Sequence, residues 1–269
     1  MYRCSVSAAV LATLALVSAA CSSASSSSPV AAGADGGVPA LDAAPAPEAQ
    51  PAATIPSGVL IVGTLADADR AVAQSKHDAA ASGGEGTAKE LGDTAHTVML
   101  GTTLLGTAQN QFLALDRWSD GANVDAFYAN ADLRSAFAQI FAPPPQLTVY
   151  VAQPGWSTYG TPDAANGSDP HYWVIVRGTM KSANLAQDQA THDAVAAQAA
   201  PRAQAAGDVA HVVFTGRDDA RQFLAVDVWP ASTNVEAFYG NADVKAAFGQ
   251  LFDGPPTIGV FASTRWHQW

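Results

Sequence analysis

The chain predicts an α+β protein made of two tandem βαββαβ units. Three observations carry that prediction. Gln111-Phe-Leu-Ala-Leu-Asp-Arg-Trp118 returns as Gln222-Phe-Leu-Ala-Val-Asp-Val-Trp229. Asn123-Val-Asp-Ala-Phe-Tyr-Ala-Asn-Ala-Asp132 returns as Asn234-Val-Glu-Ala-Phe-Tyr-Gly-Asn-Ala-Asp243, and Phe137, Phe141, Pro144 and Pro145 recur as Phe248, Phe252, Pro255 and Pro256. Within each copy, short apolar runs alternate with Ala-rich segments at the spacing of strands and helices. From Gln111 to Ala152 the offset is a constant 111, with about half the positions identical. Upstream it becomes 115: His77-Asp78 matches His192-Asp193, and Gly92-Asp93-x-Ala95-His96 matches Gly207-Asp208-x-Ala210-His211. The four extra residues fall in Thr102–Asn110, a Gly/Thr-rich connection that lengthens at little entropic cost. A period this long excludes a solenoid.

Taken in order, Val59–Val62 and Trp173–Val176 are apolar runs bounded by Gly and read as first strands. The Ala-rich segments at 67–82 and 183–206 predict helices ending before Gly92 and Gly207, with Pro201 inside the second. His96–Leu100 and His211–Phe214 are second strands, joined by a hairpin to third strands at Phe112–Trp118 and Phe223–Trp229. Asn123 and Asn234 are expected to cap a second helix, on which Phe127, Ala131, Phe137 and Phe141 fall near helical spacing. Asp132 is expected to cap a fresh turn after a local break. Leu147–Val151 and Ile258–Ala262 close the units. The order βαββαβ belongs to the ferredoxin-like class. Residues 57–152 form the first unit and 171–269 the second. Residues 153–170, with Pro154-Gly155, Gly160-Thr-Pro162 and Asn166-Gly-Ser-Asp-Pro170, read as the linker between them.

Asp-x-Trp at the end of the third strand, followed by a polar turn and a helix carrying Phe nine residues after the Trp, resembles the antibiotic biosynthesis monooxygenase superfamily. Members of that family are dimeric α/β barrels in which two ferredoxin-like units pair sheet to sheet. The resemblance covers roughly 57–152 and 171–266. It implies that the two copies form a pseudo-dimeric α/β barrel within one chain, which would then be a monomer. Haem-degrading members combine an Asn on the first strand, a Trp on the third and a His on the second helix. Here only the Trp is matched, and Phe127 and Phe238 stand at the helix position. No haem or other cofactor is therefore expected. Cofactor-free oxygenation stays open, because it needs only a cavity and a few polar groups that stabilise a substrate anion.

Polar residues retained in both copies are the candidate functional set: His77/His192, Asp78/Asp193, Asp93/Asp208, His96/His211, Asp116/Asp227, Trp118/Trp229, Tyr128/Tyr239 and Asn130/Asn241. His96 and His211 open a strand after Gly-Asp, where an imidazole serves as a general base or metal ligand at the barrel mouth, or bonds to a loop, with Asp93 or Asp208 as partner. Asp116 and Asp227 share a strand face with Phe112, Ala114 and Trp118 and their copies. A carboxylate there needs a hydrogen bond or a charge partner, so it is either a cavity acid or an acceptor for the following turn. These four residues are the catalytic candidates. Trp118 and Trp229 either stack on an aromatic ligand or anchor sheet to helix. His77 and His192 sit beside an Asp, but adjacent helical residues point about 100° apart, so both read as solvated helix positions. Tyr128 and Tyr239 read as surface residues. No HxH or HxxxH spacing is present, so no metal site is expected. Phosphate loops, nucleophile elbows and Cys/His pairs are likewise lacking.

The 13 basic and 24 acidic residues give a formal charge of −11, with no basic stripe to hold a phosphate backbone. Nucleic acid is excluded as a partner. Residues 1–20 read as a signal peptide: Arg3, a short apolar stretch from Ser5 to Val17, and small residues at Ser18-Ala19-Ala20. Cys21 follows, in an arrangement that resembles a bacterial lipobox, with Ser18 where such motifs usually have Leu. Lipidation at Cys21 is the expectation; ordinary cleavage after Ala20 is the alternative. Residues 21–56, rich in Ser, Ala and Pro, bury too little apolar surface to fold and read as a disordered tether. The expected protein is thus exported and anchored in the cell envelope, in the outer membrane, touching the membrane through its lipid alone. The expected function is that of a carrier holding a small apolar or aromatic molecule in a cavity between the two repeats; the alternatives are a cofactor-independent monooxygenase-like enzyme and a structural or partner-binding lipoprotein.

Overall fold

The computed structural model describes residues 56–162 and 171–269. The signal peptide, Cys21 and the tether up to residue 55 lie outside the described residues, as does 163–170. The apolar runs become eight strands: β1 (Ser57–Thr64), β2 (Asp93–Gly101), β3 (Gln111–Trp118), β4 (Gln146–Ala152), β5 (Tyr172–Thr179), β6 (Ala210–Gly216), β7 (Gln222–Trp229) and β8 (Thr257–Ser263). Between them lie α1 (Arg70–Glu90), α2 (Val124–Tyr128), α3 (Ala131–Ile140), α4 (Leu185–Ala206), α5 (Ser232–Gly240) and α6 (Ala242–Leu251). The strands close into an antiparallel barrel in the order β1-β3-β2-β8-β5-β7-β6-β4. Each half supplies four neighbouring strands. The halves join at two short seams, Met99–Gly101 against Phe261–Ser263 and Tyr150–Ala152 against Phe214–Gly216.

The strands read as nearly continuous apolar runs because both of their faces are covered. One face fills the barrel with Leu60, Met99, Leu115, Trp173, Ile175, Phe214, Val226 and Phe261. The other packs under the helices: Val59, Ile61, Val98, Phe112 and Trp118 in the first half, and Val174, Val176, Phe223 and Trp229 in the second. Gly63 and Gly178 allow this packing, because a Cβ at either would stand 2.6 Å from the ring of Phe141 or Phe252. Gly92 and Gly207, both at φ +107°, turn the chain out of α1 and α4 into the second strand of each half.

Several local expectations change. The second helix of each half is two helices, and the break is capped by Asn130 and Asn241, whose side chains accept from the backbone N–H of Asp132 and Asp243 at 2.8 Å. Asp132 therefore lies in the first turn and does not cap it. Asn123 and Asn234 are not side-chain caps. Their amides reach the ends of α1 and α4, donating to the carbonyls of Leu91 and Ala206. Within the stretch between the halves, residues 153–159 dock on the second half as described below.

Candidate functional site

Strand register creates the centre of the site. His96 on β2 lies directly opposite Asp116 on β3, and His211 on β6 opposite Asp227 on β7, all on the face under the helices. Nδ1 of each imidazole meets its carboxylate at 2.5 Å. The other carboxylate oxygen accepts from a tyrosine hydroxyl: Tyr128 on Asp116, and Tyr239 on Asp227. The tyrosines read as surface residues are thus turned inward. Burial, then the nearby carboxylate, pushes both phenols well above their ordinary range.

The helix histidines are buried as well. His77 of α1 is 5% exposed and His192 of α4 is 4% exposed. Their Nε2 atoms lie 3.2 Å from Nε2 of His96 and His211, with ring planes within 11° and 7° of parallel. Each holds its neighbouring carboxylate through Nδ1, Asp78 or Asp193, at 3.0 Å. Adjacent helical residues do meet here, because a backbone N–H from elsewhere pins the carboxylate: His267 donates to Asp78 and Ser157 to Asp193, both at 2.7 Å. The result, in each half, is a chain Asp–His–His–Asp–Tyr.

This chain fixes its proton count. With carboxylates at both ends, both Nδ1 atoms must carry protons, and the Nε2–Nε2 bond needs one more. Two rings therefore share three protons and one positive charge. Burial works against protonation of both rings. In His96 and His211 it is outweighed by Asp116 and Asp227, which raise the pKa. In His77 burial prevails and lowers it to about 4, and His192 is lowered too. The charge resides on the strand histidine. Every ring nitrogen of the four is engaged.

Asp93 and Asp208, at the start of the second strand of each half, complete the centre. Burial and then the neighbouring Asp116 or Asp227 push each carboxyl up to about 7. Oδ2 of Asp208 accepts from the Tyr159 hydroxyl at 2.8 Å. Oδ2 of Asp93 is buried without a partner among the described residues.

Each centre is covered by a segment that follows the other half. After β4, Trp156 packs on His192 at 5.1 Å between ring centroids, and Tyr159 exchanges backbone hydrogen bonds with His211 at 2.8 and 3.0 Å. After β8, Trp266 packs on His77 at 5.2 Å, and Trp269 exchanges backbone bonds with His96 at 3.0 and 3.3 Å while stacking on its ring. Trp156/Trp266, Ser157/His267 and Tyr159/Trp269 are all 110 residues apart, so the internal likeness extends past the fourth strand.

The halves differ in open space. In the second, a cavity of about 360 Å³ between sheet and helices is lined by Val176, Val195, Phe223, Val244, Phe248 and Leu251, and it reaches His192, His211, Asp208 and Asp227. The corresponding space in the first half is about 50 Å³. Among the lining residues that differ between the halves, Trp269 stands where the second half has Tyr159, and Leu133 where it has Val244. The polar residues thus converge inside each half, under its own helices, rather than in a cavity between the two halves as the sequence suggests. The barrel interior between the halves is packed with side chains. A separate recess of about 280 Å³ at one barrel end is lined from both halves and includes none of the histidines.

Of the sequence candidates, His96, His211, Asp116 and Asp227 come together as hydrogen-bonded pairs. Trp118 and Trp229 do not join them. At 1% and 0% exposed they pack on Phe127 and Phe238, outside the lining of either cavity. Sequence reasoning undervalued His77, His192, Tyr128, Tyr239, Asp93 and Asp208, although all were retained in both copies. Among the described residues no three His, Cys, Asp or Glu side chains are grouped as a metal requires. Haem, held by some members of the family named above, does not fit these residues. The cavity histidines have no free nitrogen for an axial bond, and Phe127 and Phe238 occupy the helix position. No described helix is long and apolar enough to cross a membrane.

No protein-family profile matches the chain, and no curated protein does. Solved structures do. One is the "putative monooxygenase" of Fusobacterium nucleatum, with a TM-score of 0.56 at 8% identity, covering 80% of this chain and 94% of that one. Another is an anthrone oxidase-like protein, with a TM-score of 0.52 at 20% identity, covering 80% of this chain and 92% of that one. Their likeness establishes the dimeric α/β barrel type of fold.

Proposed function

We propose that the chain is a tandem pair of ferredoxin-like units in which the second half is a cofactor-independent oxygenase site for a small aromatic substrate. One observation carries the reading: an apolar cavity of about 360 Å³ ends on a carboxyl held near pKa 7 beside a buried imidazolium. A general base works best when its pKa lies near the working pH. Asp208 is that base. The ring nitrogens are all taken, whereas the Asp208 carboxylate, bonded by Tyr159 and Ala210, keeps spare lone pairs. It removes a proton from an activated CH₂ of the substrate. The His211 imidazolium, positioned by Asp227 and His192, stabilises the resulting anion through space in a site of low dielectric. The anion then passes its electrons to O₂. Overall the CH₂ becomes C=O, and the remaining oxygen atom leaves with two hydrogens as water. The first half, with Trp269 and Leu133 in its cavity, serves as scaffold. An anchor at Cys21 would place this domain on the outer membrane at the end of a tether; radiolabelled palmitate incorporation, lost in Cys21→Ser, tests that part.

Support for the oxygenase reading comes from the named neighbours as well, one described as a monooxygenase and one as anthrone oxidase-like. The test is an oxygen-electrode assay with anthrone and related hydroxylated tricyclic compounds. We expect uptake of one O₂ per substrate, reduced about 100-fold or more in Asp208→Asn. Binding of those compounds with no oxygen uptake would instead establish a carrier, a reading that the fully engaged imidazoles favour. Neither binding nor uptake across the panel would leave the structural role.

A further inference from the structure

The barrel end holds a second feature, unrelated to the His–Asp centres. Along β5, Trp173 and Ile175 point into the barrel core, and by strand alternation Arg177 follows them on the same face. At the matching position 115 residues earlier the first half has Val62, which packs on that core. Arg177 is half-buried, and among the described residues it makes no hydrogen bond or ion pair. Arg202, Arg217 and Arg221, by contrast, are each paired with an aspartate. Its charge faces inward: it is the charge that acts on the buried phenol of Tyr150, against the upward push of burial. A guanidinium partly withdrawn from water with its donors unmatched calls for an acceptor.

Space for that acceptor exists. The recess of about 280 Å³ is lined by Arg177, Gln111, Thr107 and Thr257 over a floor of Ile175 and Phe261, with no Asp or Glu in the lining. It is built by the longer hairpin of the first half. The Leu104–Gly106 turn folds against β8, and Thr107 Oγ1 accepts from the backbone N–H of Val260 at 2.8 Å. The second half has neither the four extra residues nor a turn of this kind. Two features without a counterpart in the other half, the long hairpin and the inward arginine, therefore meet at one place.

We infer that this recess binds a small organic monocarboxylate. The flat guanidinium fork matches a carboxylate with two parallel hydrogen bonds. A single cation suits a monoanion better than a phosphate dianion, and the apolar floor suits a ring or short chain. Titration calorimetry of the whole chain with sodium benzoate tests this, with sodium chloride at equal ionic strength as the blank. We expect one site, weakened about tenfold or more in Arg177→Val, which installs the residue of the first half and leaves the melting temperature intact. Arg177→Gln, of similar reach, should lose the same affinity. Benzamide, the neutral isostere, should bind wild type no better than Arg177→Val. Because benzoate also fits the larger cavity, the double variant Tyr159→Trp/Val244→Leu, which fills that cavity, must retain the site. Equal benzoate affinity in wild type and both Arg177 variants, loss in the cavity-filled variant instead, or no heat at millimolar benzoate would each overturn the inference.

Discussion

The proton count of the histidine pair is open to direct attack at Asp227. Its Oδ1 meets His211 Nδ1 and its Oδ2 meets the Tyr239 hydroxyl, both at 2.5 Å, in a side chain 4% exposed. Asp227→Asn keeps the shape and removes the charge that holds the third proton on the His192–His211 pair. Opposite charges about 4 Å apart at an effective dielectric of about 20 interact by about 4 kcal/mol. At about 1.36 kcal/mol per pH unit, that is a drop of about three units in the proton affinity of the pair. Asp208, which also raises His211, is present in both forms, so the midpoint falls by the Asp227 contribution alone. The assay is a pH titration of ¹⁵N-labelled imidazoles by NMR. His77–His96–Asp116 in the first half, left untouched, is an internal control within the same molecule. Removing one partner of a buried pair should also cost about 3–5 kcal/mol in unfolding free energy. If the His211 midpoint moves by less than about half a unit while the control holds still, the shared-charge account is wrong.

Asp93→Asn tests the raised carboxyl. Its folded pKa of about 7 exceeds the unfolded value, so the folded state holds the extra proton between about pH 4 and 7, and wild type loses stability as pH rises through that window. The variant has no such loss, so its melting temperature relative to wild type should improve by several degrees between pH 5 and 8; a constant gap refutes the assignment. Gly178→Ala should cost about 1–3 kcal/mol in denaturant titration, because its Cβ meets the Phe252 ring at 2.6 Å. Gly249→Ala, on an exposed helix with nothing within 4 Å, should gain about 0.4–1 kcal/mol. Trp156→Ala should cost about 3–5 kcal/mol, since the indole is 5% exposed against His192 and Phe223; a loss near zero would refute that packing.

The strands were legible because eight short apolar runs bounded by Gly or polar residues leave little choice, and duplication reads each run twice. The helices were legible in number less than in detail. The break before α3 was expected at Asp132, but its cap was not: Asn130, and Asn241 before α6, hold the fresh helix, which the spacing of Phe127, Phe137 and Phe141 does not reveal. The site failed where contacts cross elements. His77 and Asp78 look solvated on a helix considered alone. What buries them is the arm of the opposite half, bearing Trp266 and His267, and its arrival is a consequence of barrel closure. Tyr128 was misread for a similar reason: its partner, Asp116, lies on a strand, and only the β1–β3–β2 order sets that strand beneath α2. Retention of Asp93 and Asp208 was visible from the start. Their raised pKa values were not, because burial and the neighbouring carboxylate exist only in the folded chain.

Exchange of the covering arms gives the two centres different surroundings in spite of equal chemistry. Both carry the same Asp–His–His–Asp–Tyr chain, so the polar machinery does not distinguish them. Distinction comes from the arm, which in each case belongs to the opposite half. The arm after β4 brings Tyr159, whose hydroxyl satisfies Asp208 and leaves a cavity; the arm after β8 brings Trp269, which covers His96 and leaves an Asp93 oxygen without a partner. A buried unsatisfied carboxyl oxygen costs free energy that a working site would recover on binding substrate. In the first half the filled cavity leaves little room for that recovery, although burial and a neighbouring carboxylate push Asp93 and Asp208 alike up to about 7. The polar chain on the barrel strands is the same in both halves, and the two centres differ in the arm that covers each and in the apolar residues around it.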